Sequence, residues 1–156
     1  MKQTFSDTLL SLAEQDSKIV VLLCDVTFPG VDEFKKRFPD RLYNFGLTEQ
    51  TTVGIAAGMA FAGLKPIVYT IAPFLLERAF EFIKVDVDEN NLPVILVGYD
   101  YGAHYGPTHT LLNGKDMVDL FKNVRGYFPD TAKLAEYSLR SAYRRTKPSF
   151  ILLKKL

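Results

Sequence analysis

The alternation of apolar runs with amphipathic stretches predicts an α/β fold: a single domain with a mostly parallel sheet and helices on both faces. Three observations carry that prediction. Runs of strand length that are apolar throughout alternate with segments of helical periodicity, the connections between them are short, and no repeat, low-complexity tract or linker interrupts the series. An apolar run without polar alternation reads as a strand buried on both faces, as parallel strands joined by crossover helices must be. At 156 residues the chain fits one domain spanning 1–156. A chain of this length buries about 70% of the surface exposed when unfolded, enough for a core without disulfides or metals.

The elements follow in order. Phe5, Leu9, Leu12 and Ala13 fall at helical spacing, with Thr4 or Ser6 as the expected cap. Residues 19–23 are continuously apolar and form the first strand. A turn at Pro29-Gly30 leads into a short amphipathic helix over 31–38, and 41–45 reads as the second strand. Gly46 breaks the chain before a long helix over 48–62. The next strand covers 65–71, with Pro66 at its start, where a missing donor costs least. A helix over 74–88 carries Phe74, Phe80 and Phe82 as a core stripe and precedes a strand over 94–98. A Gly- and Tyr-rich loop over 99–107 leads to a helix near 116–123, and a short strand ends at Phe128. Ala135, Leu139, Ala142 and Tyr143 mark the last helix, and 149–153 the last strand.

Composition excludes several classes of partner. With 19 basic and 18 acidic side chains, dispersed along the chain, there is no electrostatic footprint for nucleic acid or an anionic membrane. The longest run free of charges and strong polar groups, 53–64, is well short of the ~18–20 residues of a spanning helix. Charge and apolar residues alternate through the first 16 positions, unlike a secretory signal, so a cytoplasmic location is expected. The single cysteine, Cys24, follows an apolar run and reads as a packed, inert thiol. No Walker motif or G-x-G-x-x-G is present, so a nucleotide site lacks its usual phosphate cradle.

Ligands of open parallel sheets gather outside the carboxyl ends of the strands. That rule selects Asp25 and its loop, 46–50, 71–74 and 99–109. Glu49 opens a helix with almost no polar face, in which Gly54 and Gly58 remove side chains, as in a helix buried all round and approached closely by another backbone. A carboxylate there enters a dry environment and must find a partner. His104 and His109, the only histidines, share the loop after a central strand, and with Asp100 they are candidates for acid–base chemistry. No third His or neighbouring Cys completes a metal set, so no metal ligands are assigned in this chain. Arg78 reads most simply as an ion-pair partner of Glu77 or Glu81. These residues define a polar site but no reaction.

The stretch Phe38-Pro-Asp-Arg-Leu-Tyr-Asn-Phe-Gly-Leu-Thr-Glu-Gln50, with Val53-Gly-Ile-Ala-Ala-Gly-Met-Ala-Phe-Ala-Gly-Leu-Lys-Pro66, resembles the pyrimidine-binding domain of transketolases. Deoxyxylulose-phosphate synthases and the second subunit of split transketolases share the pattern. Leu23-Cys-Asp25, Ala72-Pro-Phe74, Arg78-Ala-Phe80-Glu81, Asn91-Leu-Pro-Val94 and Gly106-Pro-Thr-His109 extend the resemblance over nearly the whole chain, in order.

The resemblance implies a thiamine-diphosphate-binding fold of the pyrimidine type. It implies that Glu49 hydrogen-bonds N1′ of the cofactor's aminopyrimidine and that His109 faces the substrate. Asp25 would line the same interface, with Phe74 beside the pyrimidine and Ile71 in aliphatic contact where the family usually places an aromatic ring. The cofactor's diphosphate and Mg2+ would be held by a companion subunit, since the sequence has no Gly-Asp-Gly, acidic cluster or glycine-rich nest for them. The expected function is ketol transfer between sugars or sugar phosphates, by a self-associating, partner-dependent subunit. The alternatives are a subunit of a thiamine-dependent 2-oxo acid decarboxylase or synthase, and a non-catalytic interaction domain. A receiver-like domain phosphorylated on Asp25 lacks the paired acids that usually precede such an aspartate. Two further departures from the family pattern are a shortened loop over 100–109, which leaves His104 without an assigned role, and no expected carboxy-terminal domain.

Overall fold

In the computed structural model, which describes residues 1–154, α1 (Lys2–Gln15) leads into β1 (Ile19–Leu23), followed by α2 (Val31–Arg37) and a 3-10 turn at Pro39–Arg41. After β2 (Leu42–Asn44) come α3 (Glu49–Phe61) and β3 (Lys65–Ile71). A helical stretch then runs through π-helical Phe74–Arg78, an α-turn at Phe80–Phe82 (α4) and π-helical Ile83–Asp88. β4 (Ile95–Asp100) precedes two 3-10 turns, Gly102–Tyr105 and Pro107–His109. α5 (Gly114–Asp119), β5 (Arg125–Tyr127), α6 (Ala132–Arg144) and β6 (Ser149–Lys154) complete the order.

The six strands expected from the sequence form one sheet in the order β2-β1-β3-β4-β6-β5, with every pair parallel. Strand alternation divides their side chains between two cores. Val21, Leu23, Ile67, Tyr69, Ile95 and Val97 face α1, α2 and α6, whose Phe5, Leu9, Phe34 and Leu139 complete that layer. Val20, Leu22, Val68, Leu96 and Leu152 face the other way, against Val53 and Ala56 of α3, the 74–88 stretch and Val118 of α5. The chain leaves β1 toward β2 on one side and returns to β3 on the other. The sheet therefore has a switch point between β1 and β3, where such folds open a crevice.

Four local expectations are corrected. Thr4 and Ser6 do not cap α1: the helix already begins at Lys2, and both lie inside it. The buried Ser6 hydroxyl instead donates to the Pro29 carbonyl, tying α1 to the turn before α2. Residues 74–88 are not a regular α-helix; hydrogen bonds from Glu89 N–H to the Lys84 carbonyl and from Leu92 N–H to that of Val87 have the wide i→i+5 spacing. α3 is not buried all round, for Phe61 is 84% exposed and a Cβ at Gly58 would meet nothing within 4 Å among the described residues. α5 stops at Asp119, after a start capped by Asn113, whose side chain accepts the Asp116 N–H.

The amino ends of the strands are pinned by Asp16. Its carboxylate lies 2.9 Å from the Lys65 ammonium and accepts the Tyr143 hydroxyl and the Lys18 N–H, each at 2.9 Å. Its carbonyl accepts from Arg41, which also reaches the Ala13 carbonyl. One residue thus joins the end of α1 to β3, α6 and the start of β2. Burial alone raises the Asp16 carboxyl, but the Lys65, Lys18 and Tyr143 hydrogen bonds outweigh it and hold the pKa at about 2. A folded pKa below the unfolded one gives stability that is present above pH ~4 and lost as pH falls toward ~2. Asp16→Asn should cost about 2 kcal/mol at neutral pH and flatten the acid limb between those values. Urea unfolding at a series of pH values checks both.

Candidate active site

Beyond Leu23 the chain turns sharply, with Asp25 in the left-handed region at φ 58°. The Asn44 carboxamide oxygen accepts the Asp25 N–H at 3.0 Å and the Gly46 N–H at 3.1 Å, clamping the exit of β1 to that of β2. The Thr48 hydroxyl closes the second turn onto the Phe45 carbonyl at 2.9 Å, and α3 begins at the next residue. Glu49 therefore starts the helix directly over the sheet. It is 1% exposed, and the positive end of the helix dipole favours its charge.

Its partner is Arg78. Nη1 donates to Glu49 Oε2 at 3.0 Å, while Oε1 is buried with no hydrogen-bond partner among the described residues. This corrects the expected pairing of Arg78 with Glu77 or Glu81. The π turn widens the helix so that Arg78 lies back over Phe74, its guanidinium 4.0 Å from the ring centroid, and not beside its acidic neighbours. Glu77 turns away to accept the Leu112 N–H at 2.9 Å.

His109 joins this group through Phe74. Its ring stands edge-on to Phe74 with centroids 4.8 Å apart, and Nδ1 is 3.0 Å from the Thr108 hydroxyl. The loop carrying it turns at Gly106, at φ 81° and ψ −173°, a conformation essentially confined to glycine. Arg78 thus links Glu49 to Phe74, and His109 joins them through Phe74. Ile71, the last residue of β3, is buried on the strand side of Tyr69. Asp25 is exposed at the end of β1, and among the described residues its carboxylate makes no hydrogen bond. His104 is not drawn in; it lines an open cavity of about 410 Å³ with Tyr99, Tyr101 and Tyr105.

Beneath Glu49 lies Cys24, wholly buried. Burial pushes its thiol up to about 11, opposed by a Thr52 hydrogen bond and assisted by the Glu49 charge, so it stays protonated and inert at neutral pH. Among the described residues no group of three His, Cys, Asp or Glu side chains is placed to hold a metal ion, and no helix is long and apolar enough to cross a membrane.

Comparison with known proteins decides the family. The profile described as "Transketolase, pyrimidine binding domain" matches residues 1–156. The chain belongs to the transketolase pyrimidine-binding family. It is 34% identical over 151 residues to a subunit of apulose-4-phosphate transketolase from Actinobacillus succinogenes, covering 94% of this chain and 49% of that protein. It is 33% identical over 159 residues to 1-deoxy-D-xylulose-5-phosphate synthase of Methylobacillus flagellatus, covering 96% of this chain and 25% of the synthase. Among solved structures, a split-gene transketolase, described as an inactive beta4 tetramer, superposes with a TM-score of 0.87 at 27% identity, over 97% of this chain and 50% of the other. A transketolase from Leishmania mexicana shares the fold, with a TM-score of 0.85 at 16% identity over 98% and 25% of the two chains. The chain spans about half the length, or less, of these relatives.

Within this pyrimidine-binding fold, Gly98 of β4 allows the turn that delivers Phe74. A Cβ there would stand 2.9 Å from Cα and Cβ of Ala72 and 3.1 Å from the Phe150 ring. Gly98→Ala should therefore destabilise the domain by about 1–3 kcal/mol and shift the His109 ring resonances by moving Phe74. Denaturant unfolding and NMR of the imidazole protons read the two effects.

Proposed function

We propose that this chain is the pyrimidine-binding subunit of a split, thiamine-diphosphate-dependent transketolase-like enzyme that transfers a two-carbon ketol unit between sugars or sugar phosphates. The carrying observation is Glu49 Oε1, a buried acceptor at the amino end of α3 that lacks a donor among the described residues. A buried polar atom left unpaired costs about 1–3 kcal/mol, so the site favours a ligand bringing an N–H to that oxygen. The protonated N1′ of an aminopyrimidine is such a donor, and the chain's donor set fits the group. When bound, thiamine diphosphate supplies a nucleophilic carbon and an electron sink for the ketol fragment.

The chain's own residues take distinct parts in this reading. Glu49 holds and shares the proton at N1′. Phe74 and Ile71 give the apolar contacts of the ring, and their cover excludes water from it. His109, its Nδ1 engaged by Thr108, offers Nε2 to a substrate oxygen as acid or base. Asp25 lines the junction with the companion subunit. That subunit brings Mg2+ and its oxygen ligands, and with them the diphosphate. A non-catalytic binding module has no use for a buried, half-paired carboxylate; that disfavours the interaction-domain reading.

Self-association belongs to the same proposal. Thr51, Gly54, Gly58 and Phe61 share one face of α3 by helical spacing, away from the sheet. A Cβ at Gly58 meets nothing within 4 Å among the described residues. Gly58→Leu should leave the fold intact and break the assembly by overpacking, at a cost of roughly 1–3 kcal/mol. Sedimentation of the two proteins compares their mass, and a monomeric parent at high concentration, alone or with its partner, would sink the idea.

Glu49→Gln keeps the shape but cannot share the N1′ proton, so turnover of the complex should fall by orders of magnitude. Stability should change by only about 1 kcal/mol, since the half-exposed Arg78 rehydrates. Mutant turnover equal to the parent's removes Glu49 from the chemistry. Calorimetry of thiamine diphosphate with magnesium should detect tight binding only when the companion subunit is present; tight binding by this chain alone would refute the split site.

A further inference from the structure

Arg78 is tied to Glu49 in a way that bears on which ligands that carboxylate accepts. Its guanidinium covers one face of Phe74 at 4.0 Å and donates to Glu49 Oε2 at 3.0 Å. Together these contacts close the site. The Glu49 side chain has no exposed surface, whereas the Arg78 side chain keeps 42% of its own. Any ligand reaching Oε1 or the covered Phe74 face must therefore move something, and the group with somewhere to go is the guanidinium.

A guanidinium is a flat plate with N–H donors along its edge; it stacks on aromatic rings and pairs with carboxylates. A protonated nitrogen heterocycle presents the same features: a flat face for Phe74 and an edge N–H for Glu49. We propose that Arg78 holds the place of the ligand, and that a planar nitrogen heterocycle carrying an N–H donor enters by exchanging with its guanidinium. The proposal rests on the aminopyrimidine reading of the site and adds the residue that sets which rings are admitted.

The exchange balances. A ring with a protonated nitrogen brings Glu49 the hydrogen bond and positive charge that Arg78 takes away, and the guanidinium regains water along a side chain that is already partly exposed. A ring with acceptors only would leave a buried carboxylate uncompensated, the costly half of a broken ion pair. Arg78 thus acts as a filter for donor-bearing rings. It also prevents Glu49 from standing bare, because the ion pair re-forms whenever the ring leaves.

The test uses the full chain and 4-amino-5-hydroxymethyl-2-methylpyrimidine, which carries no diphosphate and needs no metal. Arg78→Ala removes the competitor and should bind this probe about tenfold more tightly than the parent, by calorimetry or NMR titration. Methylguanidinium chloride should compete with the probe for the vacated place. The gain should vanish in Glu49→Gln/Arg78→Ala, which has no carboxylate to re-pair. Arg78→Lys keeps a charge beside Glu49 and so protects the fold if the alanine variant is unstable; without the flat plate it should bind the probe with intermediate affinity. Probe affinity no higher than the parent's in both single variants overturns the proposal, as does an undiminished gain without Glu49 or a failure of methylguanidinium to compete. These readouts do not involve turnover, so they separate the exchange from the cofactor chemistry tested by Glu49→Gln in the assembled enzyme.

Discussion

The ion pair between Glu49 and Arg78 draws the surrounding structure together, because a carboxylate taken out of water costs several kcal/mol unless it is compensated. The amino end of α3 supplies part of that compensation and the guanidinium supplies the rest. Each requirement propagates. For α3 to start over the sheet, the β2 exit must turn tightly, and Asn44 and Thr48 hold that turn. For Arg78 to reach Glu49 while stacked on Phe74, the helix after β3 must be wide-turned. For that helix to begin at the right height, Ala72 must lie against β4, where Gly98 alone leaves room. Three strand ends thus meet at one buried charge.

The two ends of the sheet do different work. At the amino ends, Asp16 satisfies both of its carboxylate oxygens and its carbonyl, linking α1, β2, β3 and α6. Each of those three Asp16 oxygens has a donor among the described residues. At the carboxyl ends, Asp25 occupies a left-handed conformation, Gly106 one that side chains cannot adopt, and Glu49 Oε1 waits for a donor. Strain and unpaired polarity cost stability and persist only where the surroundings impose them. Both occur at the amino ends too, where Asn91 is left-handed at φ 52° and Asn91 Oδ1, Arg145 Nε and Ser149 Oγ are buried without partners among the described residues. What singles out the carboxyl ends is that an unpaired atom there, Glu49 Oε1, belongs to a carboxylate.

What can be read from the sequence follows from the range of the physics involved. Hydrophobic periodicity is local, and it locates the six strands and their parallel arrangement, including the long buried run of β1. The position of Glu49 at a helix start is also legible, since Gly46 and the apolar helix beyond it are contiguous with it. The Arg78 contact is not, because it spans 29 residues and depends on a π turn that no spacing rule announces. Its nearest acids, Glu77 and Glu81, are the natural local partners, yet one of them is engaged by a loop 35 residues away. Ser6 fails as a cap for a similar reason: its partner is the Pro29 carbonyl, beyond the reach of helical signals. Composition overstates the burial of α3 because the helix is apolar on all sides, whereas only the face carrying Thr52, Val53, Ala56 and Ala60 is covered by the sheet.

That uncovered face connects the fold to the site. Among the described residues nothing requires residue 58 to be small, for a Cβ there would sit in open space, and at Gly54 it would meet the Asp86 carboxylate alone, at 3.4 Å. Phe61, at the end of the same helix, is 84% exposed. An apolar strip of small residues flanked by an exposed ring costs solubility unless another backbone covers it. The same helix carries Glu49 at its first turn, so whatever packs along the strip also approaches the mouth of the site. A polypeptide docked there would hold α3 at a fixed height. Packing along α3 would thus bear on the position of Glu49 through one rigid element, the helix itself.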